Sequence, residues 1–105
     1  MATRGTIFTL HNDEYVGIYN HYDSYPEDLG KVLKENYTNI NIVKRLIFNG
    51  DSSYIVQTIE DSKFYSSAGE PARVSRASSI KEFVDLYGQD YNYFFNTETN
   101  EWEIY

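Results

Sequence analysis

Residues 6–20 read TIFTLHNDEYVGIYN, and the parsing of this stretch decides the fold. Two runs rich in β-branched and aromatic residues, 6–10 and 15–20, flank a polar HNDE whose Asn and Asp suit a turn. That order predicts a β-hairpin. Near the other end, DYNYFFN (90–96) and EWEIY (101–105) flank TETN in the same way and predict a second hairpin. In its last strand Trp102 and Ile104 share one face, and Glu101 and Glu103 the other, as in a sheet with one buried side.

Between the hairpins the apolar period changes from two to that of a helix. In SYPEDLGKVLKENY (24–37), Leu29, Val32, Leu33 and Tyr37 recur at helical spacing behind Pro26, with Glu27 and Asp28 in the first turn. Gly30 inside this helix costs about 1 kcal/mol against alanine, so another backbone or an aromatic ring is expected to pass close to it. NINIVKRLIFNG (39–50) places Ile40, Val43, Leu46 and Ile47 on one face and ends on Gly50. SSIKEFVDLYG (78–88) has the capping-box pair Ser79 and Glu82, the stripe Phe83, Leu86 and Tyr87, and a closing Gly88. SYIVQTIE (53–60) is compatible with a strand, to which KFYS (63–66) pairs. Residues 66–78, SSAGEPARVSRAS, are small, polar and nearly without core residues, and read as a mobile surface loop.

Assembled, the chain is expected to be one α+β domain over residues 1–105. A mostly antiparallel sheet comes from the N- and C-terminal hairpins, with about three helices packed on one face. Apolar residues are 41% and aromatics 17%, with eleven tyrosines and six phenylalanines, enough for a packed core. The absence of cysteine removes disulfides, thiolate zinc sites and thiol nucleophiles, and fits folding in a reducing compartment. No run approaches the roughly 20 apolar residues of a membrane span, and MATRGTIFTL lacks the apolar centre of a signal peptide, so a cytoplasm is expected.

Net charge is −7 and unevenly placed. Residues 1–50 carry six acids and five bases, whereas residues 51–105 carry ten acids and four bases. After Lys81 come Glu82, Asp85, Asp90, Glu98, Glu101 and Glu103 and no base at all. Such an end repels phosphate and anionic lipid and attracts basic surfaces. Direct binding of nucleic acid and of membranes is therefore not expected.

The chemistry concentrates in GIYNHYDSYPEDLGK (17–31). His21 and Asp23 stand two apart, so an extended segment puts them on one side, where a carboxylate orients an imidazole. Ser24 would complete the parts of a nucleophilic triad, but no G-x-S-x-G elbow or glycine-rich oxyanion hole accompanies it. A competing reading has Asp23 or Ser24 capping the helix that starts at Pro26, with the tyrosines packed on the sheet. His11, Asp13, Glu14, His21 and Asp23 lack the spacing of a metal site, and no cofactor fingerprint appears. Capping alone leaves Arg4, Tyr19, His21, Asp23, Tyr25 and Lys31 on one strand-to-helix edge, the residue types of a nucleotide pocket or a protein hot spot.

TRGTI, GIYNHYDSYPEDLGKVL, a short helix ending in NG and the YNYFFN…EWEIY pair together resemble a family of small, mostly uncharacterised proteins of bacteriophages and mobile elements. Its signature reads approximately GIYCHWDGYPEHVGKIL. His21, Asp23, Tyr25, Pro26 and Gly30 match, whereas Asn20, Tyr22 and Ser24 stand where the family has cysteine, tryptophan and glycine. The resemblance implies a phage origin and no established reaction. With it, the expected function is antagonism of a bacterial defence system in the host cytoplasm by a non-enzymatic binding protein. Asp90, Glu98, Glu101 and Glu103 would dock on the basic channel of a nuclease effector, as in an anti-CRISPR or DNA-mimic inhibitor. Two alternatives are a sponge holding a nucleotide second messenger near Arg4, Tyr19 and His21, and a small hydrolase using His21 and Asp23. The oligomeric state stays open, a homo-oligomer included.

Overall fold

Strands β1 (Gly5–His11) and β2 (Glu14–Asn20) pair antiparallel from Gly5↔Asn20 to His11↔Glu14. Asn12 and Asp13 join them with φ of 51° and 64°, the double left-handed turn that matches strand twist and that Asn and Asp tolerate. The structure, a computed structural model, describes residues 2–105. After β2 the chain makes a π-helical turn (Pro26–Gly30) that runs into α1 (Lys31–Asn36), then α2 (Ile40–Ile47). Strands β3 (Ser52–Tyr54), β4 (Lys63–Phe64) and β5 (Ser75–Ala77) follow, with a 3-10 turn at Tyr65–Ala68. Helix α3 (Ile80–Tyr87) leads into β6 (Tyr91–Asn96) and β7 (Glu101–Ile104).

The two hairpins meet in the middle of the sheet. β6 lies parallel to β1, from Gly5↔Tyr91 to Thr9↔Phe95, giving the order β4-β3-β2-β1-β6-β7, while β5 pairs with β2. The other long pairings are antiparallel, so the α+β class with a mostly antiparallel sheet stands. Strand β1 is buried on both faces from Gly5 to Thr9 because structure covers both sides of it. Its polar side chains are matched internally: Thr6 Oγ1 donates to Asn92 Oδ1 and Thr9 Oγ1 to the Phe95 carbonyl, each at 2.8 Å.

The helices do not share one face. Ile7, Val16, Ile18, Tyr93, Phe95 and Trp102 pack with Leu33, Tyr37, Val43, Leu46 and Ile47 of the α1–α2 layer. The opposite face carries Phe8 and Phe94, covered by Phe83 of α3. Adjacent residues on a strand point to opposite sides, so the paired aromatics Phe94 and Phe95 required cover on each. Helix starts follow their caps: Asn39 Oδ1 accepts from the Ile42 amide at 3.1 Å, and Ser79 Oγ from Glu82 at 3.0 Å. Gly50, at φ 88°, turns the chain after α2.

Two readings of the middle need correction. Only residues 52–54 of the segment around SYIVQTIE are a strand; beyond them Val56 bonds Ser62 and Thr58 bonds Asp61 in a local turn, while Ile55 is buried in the core. Residues 66–78 are not simply a surface loop. β5 pairs Ser75, Arg76 and Ala77 with Gly17, Val16 and Tyr15, satisfying the free edge of β2, and Ala77 is buried. Among the described residues no helix is long and apolar enough to cross a membrane.

Candidate functional site

The corner after β2 is held by one buried amide. Asn20 Nδ2 donates to the Tyr22 carbonyl and to Ser24 Oγ, both at 2.9 Å, and its Oδ1 accepts from Ser52 Oγ at 2.8 Å. The Ser24 amide donates to the Thr3 carbonyl at 3.0 Å, and a Cβ on Gly5 would stand 2.8 Å from that of Ser24, so only glycine lets β1 come this close. Asp23 bends the chain at φ 56°, a conformation that Asp tolerates better than most residues.

This geometry revises the capping reading. The cap position before Pro26 is Tyr25, and no side chain caps the turn; Asp23 contributes its carbonyl, which accepts from the Leu29 amide at 3.3 Å. Ser24 is 0% exposed and bonded to Asn20, so its hydroxyl is closed to any substrate. Tyr19 Oη and His21 Nδ1 are hydrogen-bonded at 2.6 Å, with Tyr22 edge-on to the imidazole at 4.5 Å between centroids. The imidazole is thus oriented by a phenol, and His21, Asp23 and Ser24 form no relay.

The six sequence-selected residues surround the corner without converging on one pocket. Tyr19 lies on the α3 side of the sheet by strand parity, with His21 hydrogen-bonded to it and the Arg4 charge close enough to act on it. Burial raises the Tyr19 phenol, and the Arg4 charge partly opposes that shift. Tyr25 packs its ring 6.2 Å from that of Tyr91. Asp23 and Lys31 open instead onto a cleft of about 360 Å³ whose other walls include Glu27, Asp28, Glu35 and Tyr54.

A second cleft, of about 240 Å³, is lined by Asp51, Tyr65, Glu70, Pro71 and Arg73. Asp51 Oδ1 accepts from the Tyr19 amide at 2.9 Å, closing the end of β2. Burial lifts the Asp51 carboxyl above its ordinary value, opposed by that hydrogen bond and by Arg73. These residues escaped the sequence reading, since 66–78 carried no periodic signal and Asp51 showed only as the residue after a helix-ending glycine.

The acidic C-terminal set is likewise dispersed. Asp90 Oδ2 accepts from the Arg4 amide at 3.3 Å at one end of β6, whereas Glu98 lies in the turn at the other end. Glu101 is exposed on β7. Glu103 accepts from Asn96 Nδ2 at 2.9 Å and from the Tyr105 hydroxyl at 2.8 Å, bonds that hold its carboxyl below the usual carboxylate range. Trp102 is buried on the other face and donates from Nε1 to the Tyr37 carbonyl at 2.9 Å, but Ile104 beside it stays 43% exposed.

No group of three or more His, Asp or Glu side chains placed to hold a metal ion occurs among the described residues. Comparison of the chain with protein-family models, curated proteins and solved structures finds no match.

Proposed function

We propose that this chain is a non-enzymatic binding protein whose acidic surface docks on a basic partner. The observation that carries this reading is the isolation of its carboxylates. Of sixteen acidic side chains, three pair with a base among the described residues, in Arg45–Glu60, Arg76–Glu14 and Lys81–Asp85. All three pairs are exposed and add little to stability, and the net charge of −7 that they leave supplies long-range attraction for a basic surface. The closed Ser24 hydroxyl and the phenol-bound His21 argue against the hydrolase alternative.

The resemblance to small phage and mobile-element proteins supports a setting for that surface: antagonism, in a bacterial host, of a defence nuclease with a basic nucleic-acid channel. A nucleotide sponge has weaker support, because Arg4, Tyr19 and His21 line neither of the two clefts, and in both clefts acids outnumber bases and repel a phosphate. The test is a cleavage assay with purified defence nucleases and increasing amounts of the chain. Stoichiometric inhibition that fades with added salt is the expected result; full cleavage at saturating chain, or retention of a nucleotide instead, would count against the inhibitor.

A further inference from the structure

We propose that the outer edge of β7 receives an antiparallel strand from a partner with basic residues at alternate positions. This rests on the acidic-docking reading and specifies its geometry. Asn92 and Tyr105 exchange both backbone hydrogen bonds, at 3.1 and 2.7 Å, so Glu101 and Glu103 also turn their amides and carbonyls toward β6. Those of Trp102 and Ile104 therefore point outward, where no further strand pairs with them among the described residues. β7 is longer than the other outer strands, β4 and β5, which makes it the sheet's most extensive free edge.

Charge selects the occupant. If two copies joined through β7 in one continuous sheet, Glu103 would face Glu103, or Glu101 would face Glu103, and like charges in such pairs are destabilising. A strand carrying Lys or Arg opposite Glu101 and Glu103 reverses the sign. Those positions become the non-hydrogen-bonded pairs, in which side chains approach most closely. Glu103 is already aimed by Asn96 and Tyr105. An apolar side chain opposite Ile104 would cover a residue that the fold leaves 43% exposed. Beside the edge, a cleft of about 370 Å³ lined by Lys34, Asn100, Glu101 and Trp102 leaves room for the incoming chain.

The probe is a peptide of about six alternating lysine and valine residues, an ordinary strand length, with a blockwise-ordered peptide of equal composition as control. The alternating peptide should slow amide exchange at Trp102 and Ile104 and leave β3 and β4 unchanged. Ile104→Pro removes one outward donor and none that faces β6, so it should weaken binding roughly fivefold, the worth of one net backbone hydrogen bond. Protection of the Glu103 amide reports whether that variant stays folded; if it does not, exchange in the unaltered chain decides. Absence of binding, equal binding of both peptides, or binding that leaves the two amides unprotected overturns edge docking. If Glu101→Gln/Glu103→Gln still weakens binding in that last case, the acidic-docking reading survives alone. Concentration-dependent protection of the same amides without peptide overturns the basic strand in favour of a second copy.

Discussion

The Tyr93 hydroxyl donates to the Ser24 carbonyl at 2.6 Å, joining the central strand β6 to the corner 69 residues earlier. Burial of the phenol pushes its pKa well above the ordinary value, which keeps it a donor at any physiological pH. The Tyr93 ring also lies 3.3 Å from where a Cβ on Gly30 would stand, the close aromatic approach expected from a glycine inside that helix. Tyr93→Phe keeps the ring and strands a buried carbonyl. Equilibrium urea unfolding should show a loss of about 1–3 kcal/mol. An unchanged midpoint would mean that this bond does not hold the corner.

Gly17 lies under the stacked rings of Phe8 and Phe83, whose centroids are 4.3 Å apart. A Cβ there would come within 2.6 Å of Phe83 Cζ and of the Ile7 carbonyl oxygen. Gly17→Ala should destabilise the fold by about 1–3 kcal/mol through overpacking, read as a drop in melting temperature. The corresponding change at Gly69, which has nothing within 4 Å, meets no clash; its cost comes only from φ 93°.

Asp23 occupies a left-handed conformation, so Asp23→Gly should be neutral or stabilising, while Asp23→Val should cost about 1–2 kcal/mol. Asp23→Asn keeps the backbone preference and removes the charge. A loss of partner binding in Asp23→Asn at unchanged melting temperature would place the first cleft in the docking surface; unchanged binding would exclude its carboxylate.

Asp51 has a pH signature. Its folded-state pKa is raised by burial, so just above the unfolded value the native state keeps a proton that the unfolded chain has released. The contribution of this group is therefore most favourable in acid and falls as pH rises through the folded value. Asp51→Asn retains an acceptor for the Tyr19 amide without the charge. It should be more stable than the parent at neutral pH and remove this share of the pH dependence, which sets in above the ordinary carboxylate value of about 4. Asp51→Ala should lose stability across the range, because the Tyr19 amide loses its partner. Urea midpoints across that range separate the three curves.

Glu101→Gln/Glu103→Gln should slow association with a basic partner and flatten its salt dependence, because facing charges act on encounter and salt screens them. The two positions are not equivalent. Glu101 has no side-chain hydrogen bond or ion pair among the described residues, whereas Glu103 gives up charge-assisted bonds from Asn96 and Tyr105, so any change in stability should appear in the Glu103→Gln single variant. Stopped-flow rates at low and high salt that ignore both substitutions would sink the docking surface.

Local signals were sufficient wherever a segment's own residues satisfy its backbone. The hairpin over residues 5–20, the capped start at Ser79, and the pairing of β6 with β7 were all legible for that reason. β5 was not, because Ser75, Arg76 and Ala77 have no period of their own and become a strand only by completing the edge of β2. The candidate site divided along the same line. The residue types around 19–25 were visible, but Asn20, the side chain that orders them, looked like an ordinary polar residue until Ser52 and Ser24 were brought to it.

By itself the sequence determined the α+β class, the acidic character of the C-terminal half and the positions of the two hairpin turns, since these depend on period, charge and φ preference within a few residues. Only the tertiary structure decided that β1 and β6 run parallel at the centre, that α3 covers the face opposite α1 and α2, and that Ser24 is closed while the edge of β7 is open. Each of these is a pairing between segments tens of residues apart. Such a pairing is chosen by which buried faces and unpaired edges remain to be satisfied once the local elements exist, and no window of sequence contains both halves of it.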